Sequence, residues 1–194
     1  NVANFTSFTH TTYGDLIMGQ NREHGYSNWG LVNNYVDEND QMIENENPHI
    51  QVGTGYDQYD LLNNLTWKAS NDWIFRWNTQ LSTTTNIPRY DNLQDYNDGT
   101  LKWSEWSYGP QTRFFTSVNA NHYASTKLYD QFRITSGYQF IEEDRITRKY
   151  QSDDYNNTYI DVHVSSLNLD FVKGKLLYGF EGVNNQVKST ATEG

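Results

Sequence analysis

The sequence predicts an all-β, antiparallel fold, and three observations predict it. Apolar side chains recur with a period of two along several stretches, while a convincing helical period occurs nowhere. The chain is polar yet rich in rings: 36% of its residues are hydrophobic, while 15 are Tyr, 9 Phe and 6 Trp. The links between the alternating stretches are short and long in turn. Disordered polar chains are poor in aromatic and β-branched residues, so this chain folds, but not around an ordinary oily core.

The elements follow in order. Val2 to Thr12 is a strand whose two faces are hard to separate. Tyr59 to Lys68 sets Tyr59, Leu61, Leu65 and Trp67 on one side, interrupted by Asn63. In Trp73 to Ser82, Trp73, Phe75, Trp77, Thr79 and Leu81 oppose Arg76, Asn78, Gln80 and Ser82. Arg113 to His122 is a weaker version of the same plan. Asp130 to Phe140 places Phe132, Ile134, Tyr138 and Phe140 opposite Gln131, Arg133, Thr135, Gly137 and Gln139. Ser165 to Val172 alternates Leu167, Leu169 and Phe171 with Ser166, Asn168 and Asp170, and Lys175 to Val183 aligns Leu176, Tyr178 and Phe180. Successive side chains of a strand point to opposite faces, so each run has an apolar and a polar side.

Ala69 to Asp72, Tyr123 to Lys127 and Lys173-Gly174 read as tight links, whereas Tyr13 to Gly55, Thr84 to Thr112 and Glu142 to Asn157 read as long polar loops. Unstructured loops beyond about 12 to 15 residues are uncommon in compact domains. Outer-membrane barrels combine short periplasmic turns with long extracellular loops, an apolar outer face and a polar lumen. Tilted strands of about 9 to 11 residues suffice to cross the bilayer. The expectation is therefore that Trp67, Trp73, Phe75, Trp77, Phe132, Ile134, Tyr138 and Phe140 face lipid, with Trp67 and Trp73 in an interfacial girdle and Trp77 deeper. Arg76, Asn78, Gln80, Gln131, Arg133 and Gln139 then face the lumen or a plug within it. Antiparallel sheets in water alternate too, so a soluble β-sandwich that recognises carbohydrate through its aromatic residues is the alternative.

Charge and composition narrow the partners. The net charge is -10, with acids gathered at Asp37-Glu38-Asn39-Asp40 and Glu44 to Glu46, which disfavours nucleic acid through phosphate repulsion. There is no Cys, hence neither disulfide framework nor thiolate metal site. No run of 18 apolar residues occurs, so the sequence offers no membrane-spanning helix. The acids between Asp37 and Glu46 fail the calcium-loop spacing because Met42 stands where the turning Gly belongs, and they read as a solvated loop. His10, His24, His49, His122 and His163 are scattered and read as surface or lumen residues, with haem ligation the minor option. Glu142 and Glu143 are neighbours on a strand and point apart, which argues against paired acid/base work. No catalytic set emerges, and the expectation is a protein that is not an enzyme and holds no cofactor or metal.

The stretches TSFTHTTYGDLIMG (Thr6 to Gly19), TGYDQYDLLNNL (Thr54 to Leu65), IPRYDNL (Ile87 to Leu93), WSEWSYGPQTR (Trp103 to Arg113), YQFIEEDRITRKY (Tyr138 to Tyr150) and LLYGFEGVNNQV (Leu176 to Val187) resemble, in this order, the barrel domain of TonB-dependent outer-membrane receptors. The resemblance spans nearly the whole chain, 1–194. It implies a place in the bacterial outer membrane, within a barrel of 22 strands that encloses a plug and takes up a scarce nutrient such as a ferric siderophore, haem or cobalamin. About seven strands cannot close such a barrel, and the chain is expected to be an internal segment ending in an extracellular loop at Ala191 to Gly194. The partners implied are the remaining strands and plug, TonB through that plug, lipid and lipopolysaccharide, the nutrient, and a surface lipoprotein lid as an open option.

The most ligand-like feature lies in the second long loop. Arg89, Tyr90, Trp103, Trp106 and Tyr108 combine a guanidinium with large amphipathic rings, a mix suited to anionic or aromatic ligands. The competing reading is that these rings pack the loop onto itself.

Overall fold

The structure, a computed structural model, describes residues 1–21, 25–26 and 29–193. The fold is all-β and antiparallel. Seven long strands form a meander: β1 (Val2–Tyr13), β6 (Tyr56–Lys68), β7 (Trp73–Thr84), β12 (Thr112–Tyr123), β13 (Gln131–Lys149), β14 (Tyr155–Lys173) and β15 (Leu176–Glu193). The other elements are short. β2 (Leu16–Ile17), β3 (Asn34–Val36), β4 (Met42–Glu44) and β5 (Ile50–Gln51) lie in the first long loop. The second carries β8 (Ile87–Pro88), α1 (Tyr90–Leu93), β9 (Tyr96–Asn97), β10 (Thr100–Leu101) and β11 (Trp103–Tyr108). The last of these joins the main sheet by pairing with the upper half of β13, from Trp103↔Lys149 to Tyr108↔Arg145.

The seven runs of alternation correspond to the seven long strands, but the structure corrects their lengths. Glu142 to Asn157 is not a long loop: β13 and β14 continue as a paired hairpin that turns at residues 150–154. Its polar composition hid it, because above an apolar span neither face of a strand needs to be greasy. Likewise Ala191 to Glu193 belong to β15 and pair with β14 up to Asn156↔Glu193. Gly194 and His24 lie outside the described residues. Among the described residues the sheet does not close on itself: β1 pairs only with β6, and β15 only with β14.

Register fixes which side chains share a face. The pairs Trp67↔Phe75, Phe75↔Ala120, Ala120↔Ile134, Ile134↔Leu169 and Leu169↔Phe180 run across six strands on one face. The row Thr66↔Arg76, Arg76↔Asn119, Asn119↔Thr135, Thr135↔Asn168 and Asn168↔Glu181 runs on the other. The polar face is not wholly polar, since Leu62, Ile74, Phe115 and Ile141 lie on it. It is concave near the loop end, where Asp60, Gln80, Arg113, Gln111 and Glu143 border a groove of about 610 Å³.

The sheet has almost no interior. Among the described residues the buried apolar side chains are Val32, Leu101 and Ala120, and only Ala120 is on the long strands. Large apolar groups stay exposed along the edge strands, such as Phe8 in β1 and Phe180 in β15. The three tight turns are staggered. Lys68↔Ile74 closes the first hairpin, at the level of Asn121, Arg133 and Asp170; the second closes at Tyr123↔Gln131 and the third at Lys173↔Leu176. Each turn thus steps further in the same direction, the offset of strands tilted in a curved wall.

Candidate functional site

Two regions are candidates for function: a belt of rings at the turn end and a folded cap at the loop end. The belt lies on the apolar face. Ring centroids follow one another from Trp67 to Phe75 (5.3 Å), Phe75 to Trp73 (5.5 Å), Trp73 to His122 (4.3 Å), His122 to Tyr129 (5.8 Å), Tyr129 to Phe132 (5.8 Å), Phe132 to Phe171 (4.8 Å) and Phe171 to Tyr178 (5.1 Å). Offset stacks and edge contacts of this kind contribute roughly 0.5–1.5 kcal/mol each beyond area burial. His122, Tyr129, Phe171 and Tyr178 were not among the predicted belt residues. Phe171 and Tyr178 were legible from the alternation of their strands; Tyr129 was not, because it projects from a turn.

The eight side chains predicted to face lipid all lie on this one face, and the six predicted to face inward lie on the other. Trp77 stands higher than the belt, 53% exposed, and its Nε1–H donates to Thr116 Oγ1 at 2.8 Å. Asn63, which breaks the apolar run, donates to Asn4 Oδ1 at 2.9 Å and to Thr6 Oγ1 at 2.8 Å. Polar groups on the apolar face thus satisfy one another, which removes most of the cost of setting them against a greasy environment. Tyr138 does the same, its hydroxyl 2.8 Å from His163 Nδ1.

On the polar face, neighbouring strands are stitched by side chains. Asn78 donates to Asn64 and accepts from Gln80; Arg133 Nε donates to Asn121 at 3.1 Å; Arg113 donates to Gln139 at 3.1 Å. Arg76 and Gln131 have no side-chain hydrogen bond among the described residues. Four of these six side chains therefore bond within the wall, where the sequence reading turned all six toward the lumen or a plug within it.

At the loop end the two long loops fold into a cap around the β13–β14 hairpin. Asp98 (φ 49°) and Gly99 (φ 84°) make the two-residue turn between β9 and β10, both in the left-handed region such hairpins need. Asn45, buried, donates to the carbonyls of Val32 (2.8 Å) and Ile50 (2.9 Å), clipping the first loop closed. Gln94 and Tyr96 donate to the carbonyl and side chain of Asn34, which joins the second loop to the first. The acids here are fasteners. Asp37 Oδ1 accepts the amides of Asn39 and Gln41, while Asp40 accepts from Arg148, Ser104 and the amide of Gln151. Hydrogen bonds from Arg148 and then Ser104 hold the Asp40 carboxyl below its ordinary value. Sequence reading had left these acids as a solvated run.

The five predicted ligand residues divide into two groups. Tyr90, Trp103 and Trp106 border a cleft of about 300 Å³ together with Val32, Leu93 and Arg148. Arg89 and Tyr108 do not line it. The Arg89 guanidinium lies 4.8 Å from the Trp106 ring centroid and 5.6 Å from that of Tyr108. It also pairs through two nitrogens with Asp91, and donates to the Tyr108 hydroxyl at 3.2 Å. Asp91 and Tyr108 together hold the Arg89 pKa up. Sequence reading missed Arg145, whose guanidinium lies 5.7 Å from Trp106 and 5.8 Å from Tyr108, because only the register Tyr108↔Arg145 brings them together.

Compared with protein-family models, with curated proteins and with solved structures, the chain has no match in any of the three.

Proposed function

We propose that this chain is a wall segment of a bacterial outer-membrane receptor barrel, of the TonB-dependent kind its loop sequences resemble, and that the whole receptor takes up a scarce nutrient. The observation that carries the reading is the eight-ring belt on one face of a sheet that buries almost no apolar side chain of its own. Water would leave that face a large unpaid hydrophobic area; lipid makes it the solvated side, with the rings at headgroup depth. The staggered turns, the concave polar face and the confinement of long loops to one end support the same reading. The remaining strands would pair with β1 and β15, a plug and its link to TonB would sit against the polar face, and the cap would meet the nutrient outside, among lipopolysaccharide.

The test is fractionation of cells carrying the full-length protein, followed by electrophoresis with and without boiling. Recovery in the outer-membrane fraction, solubility only in detergent and heat-modifiable migration are expected. Purification as a folded protein from the soluble fraction without detergent would overturn the proposal in favour of a soluble binding module.

A further inference from the structure

The cap holds two guanidinium groups against the same pair of rings, but they are not equivalent. Arg89 is engaged at every nitrogen: Asp91 takes two of them and Tyr108 the third. Arg145 is exposed, and among the described residues its side chain has neither an ion pair nor a hydrogen bond. The nearest acid on its own face of β13 is Glu143, whose carboxylate accepts from Gln111 Nε2. Its cross-strand neighbours are Tyr108 and Thr158, neither of them charged. A guanidinium without an ion pair thus stands on the polar face of the loop end, two residues from the Glu143 carboxylate, in a chain of net charge -10.

We infer that Arg145, resting on Trp106 and Tyr108, is the anchor for a carboxylate-bearing ligand at the mouth of the barrel, with Arg89 as the residue that positions those two rings. The inference rests on the proposed function for the direction from which the ligand arrives. A planar guanidinium fork matches a carboxylate with two parallel hydrogen bonds. The rings beneath it hold the fork in one plane and shield one of its sides from water, which strengthens the pairing. A carboxylate carried on a flat aromatic body adds contact with the exposed part of the two rings. Asp91 restrains the site, since its charge cancels that of Arg89.

The experiment uses the full-length receptor in detergent, with fluorotryptophan incorporated and the Trp106 resonance assigned through Trp106→Phe. Benzoate is titrated at low ionic strength, with acetate as the ring-free comparison. The Trp106 resonance is expected to shift, with benzoate binding more tightly than acetate. Arg145→Gln should weaken benzoate at least tenfold, and Arg145→Lys should weaken it less. Asp91→Asn should tighten it severalfold by freeing a second guanidinium, an effect no loss of structure would mimic. Unchanged benzoate affinity in Arg145→Gln, in protein whose other Trp resonances match the parent, overturns the anchor. The same samples are checked for heat-modifiable migration, so a failed anchor in an intact barrel is distinct from a failed membrane assignment.

Discussion

Arg148 donates to Asp40 Oδ1 at 2.9 Å and so ties the first long loop to the tip of the β13–β14 hairpin, 108 residues later in the chain. The pair is only part exposed, and Asp40 gathers Ser104 and the Gln151 amide as well. Arg148→Ala should therefore loosen the cap by about 1 kcal/mol, at the upper end of what such pairs contribute near a surface. Asp40 is more acidic in the folded cap than its ordinary 3.8. Its contribution is thus complete above that value and is lost as the pH falls through the lowered one. Limited proteolysis of the first loop checks both effects: faster cleavage in Arg148→Ala at neutral pH, and parent protein approaching the variant only in strong acid. Equal cleavage at neutral pH would show that the tie holds nothing.

The second expectation concerns the two faces. Phe75 belongs to the ring belt and Asn78 to the polar ladder with Asn64 and Gln80. At the interfacial depth of the belt, Phe75→Arg should impair assembly by up to about 1 kcal/mol, less than the roughly 2–4 kcal/mol the same change costs at the midplane. Asn78→Arg should be much milder. Folding titrations into detergent or vesicles measure the difference, and the reverse order would invert the inside and outside of the wall.

Orientation is tested separately. The tight turns carry Lys68, Lys127, Lys173 and Lys175, whereas the loops carry most of the acids. An epitope inserted near Asn39 or Asn97 of the full receptor should bind antibody on intact cells, and one near Asn71 should bind only after the membrane is opened. Exposure of Asn71 alone would reverse the topology.

Asp144 supplies a pH-dependent prediction of opposite sign. It is 9% exposed, its Oδ1 has no hydrogen-bond partner, and burial, then the nearby Asp161, raise its pKa. A raised carboxyl costs stability once the pH climbs past its ordinary value, because folding must then either bury the charge that the unfolded chain keeps in water or take up a proton. Asp144→Asn should accordingly stabilise the loop end by about 1 kcal/mol at pH 7, the scale of an unpaired buried polar group. The gain should vanish below about pH 4, where both states are protonated. Hydrogen exchange at the amides of the β13–β14 hairpin, followed at the two pH values, reads it; a gain that persists in acid would show that charge is not the cause.

The sequence by itself determined the fold class, the seven strands and the side of the sheet taken by the rings that lie on those strands. Period-two alternation is a local property, and a strand's own geometry turns it into two faces. It also determined the three short links between strands, which depend on a few adjacent residues. Only the tertiary structure decided where the strands end, because β13 and β14 continue above the apolar span through pairing with each other and with β11, and pairing leaves no mark in hydrophobicity. It alone turned Asp37 and Asp40 from a charge run into fasteners, since their partners include Arg148 and Ser104 far along the chain. And it alone separated Arg145 from Arg89. Both residue types stand plainly in the sequence, but which cation is cancelled and which is left open depends on register across strands and on how a loop folds back, and those are set by contacts distant in the chain.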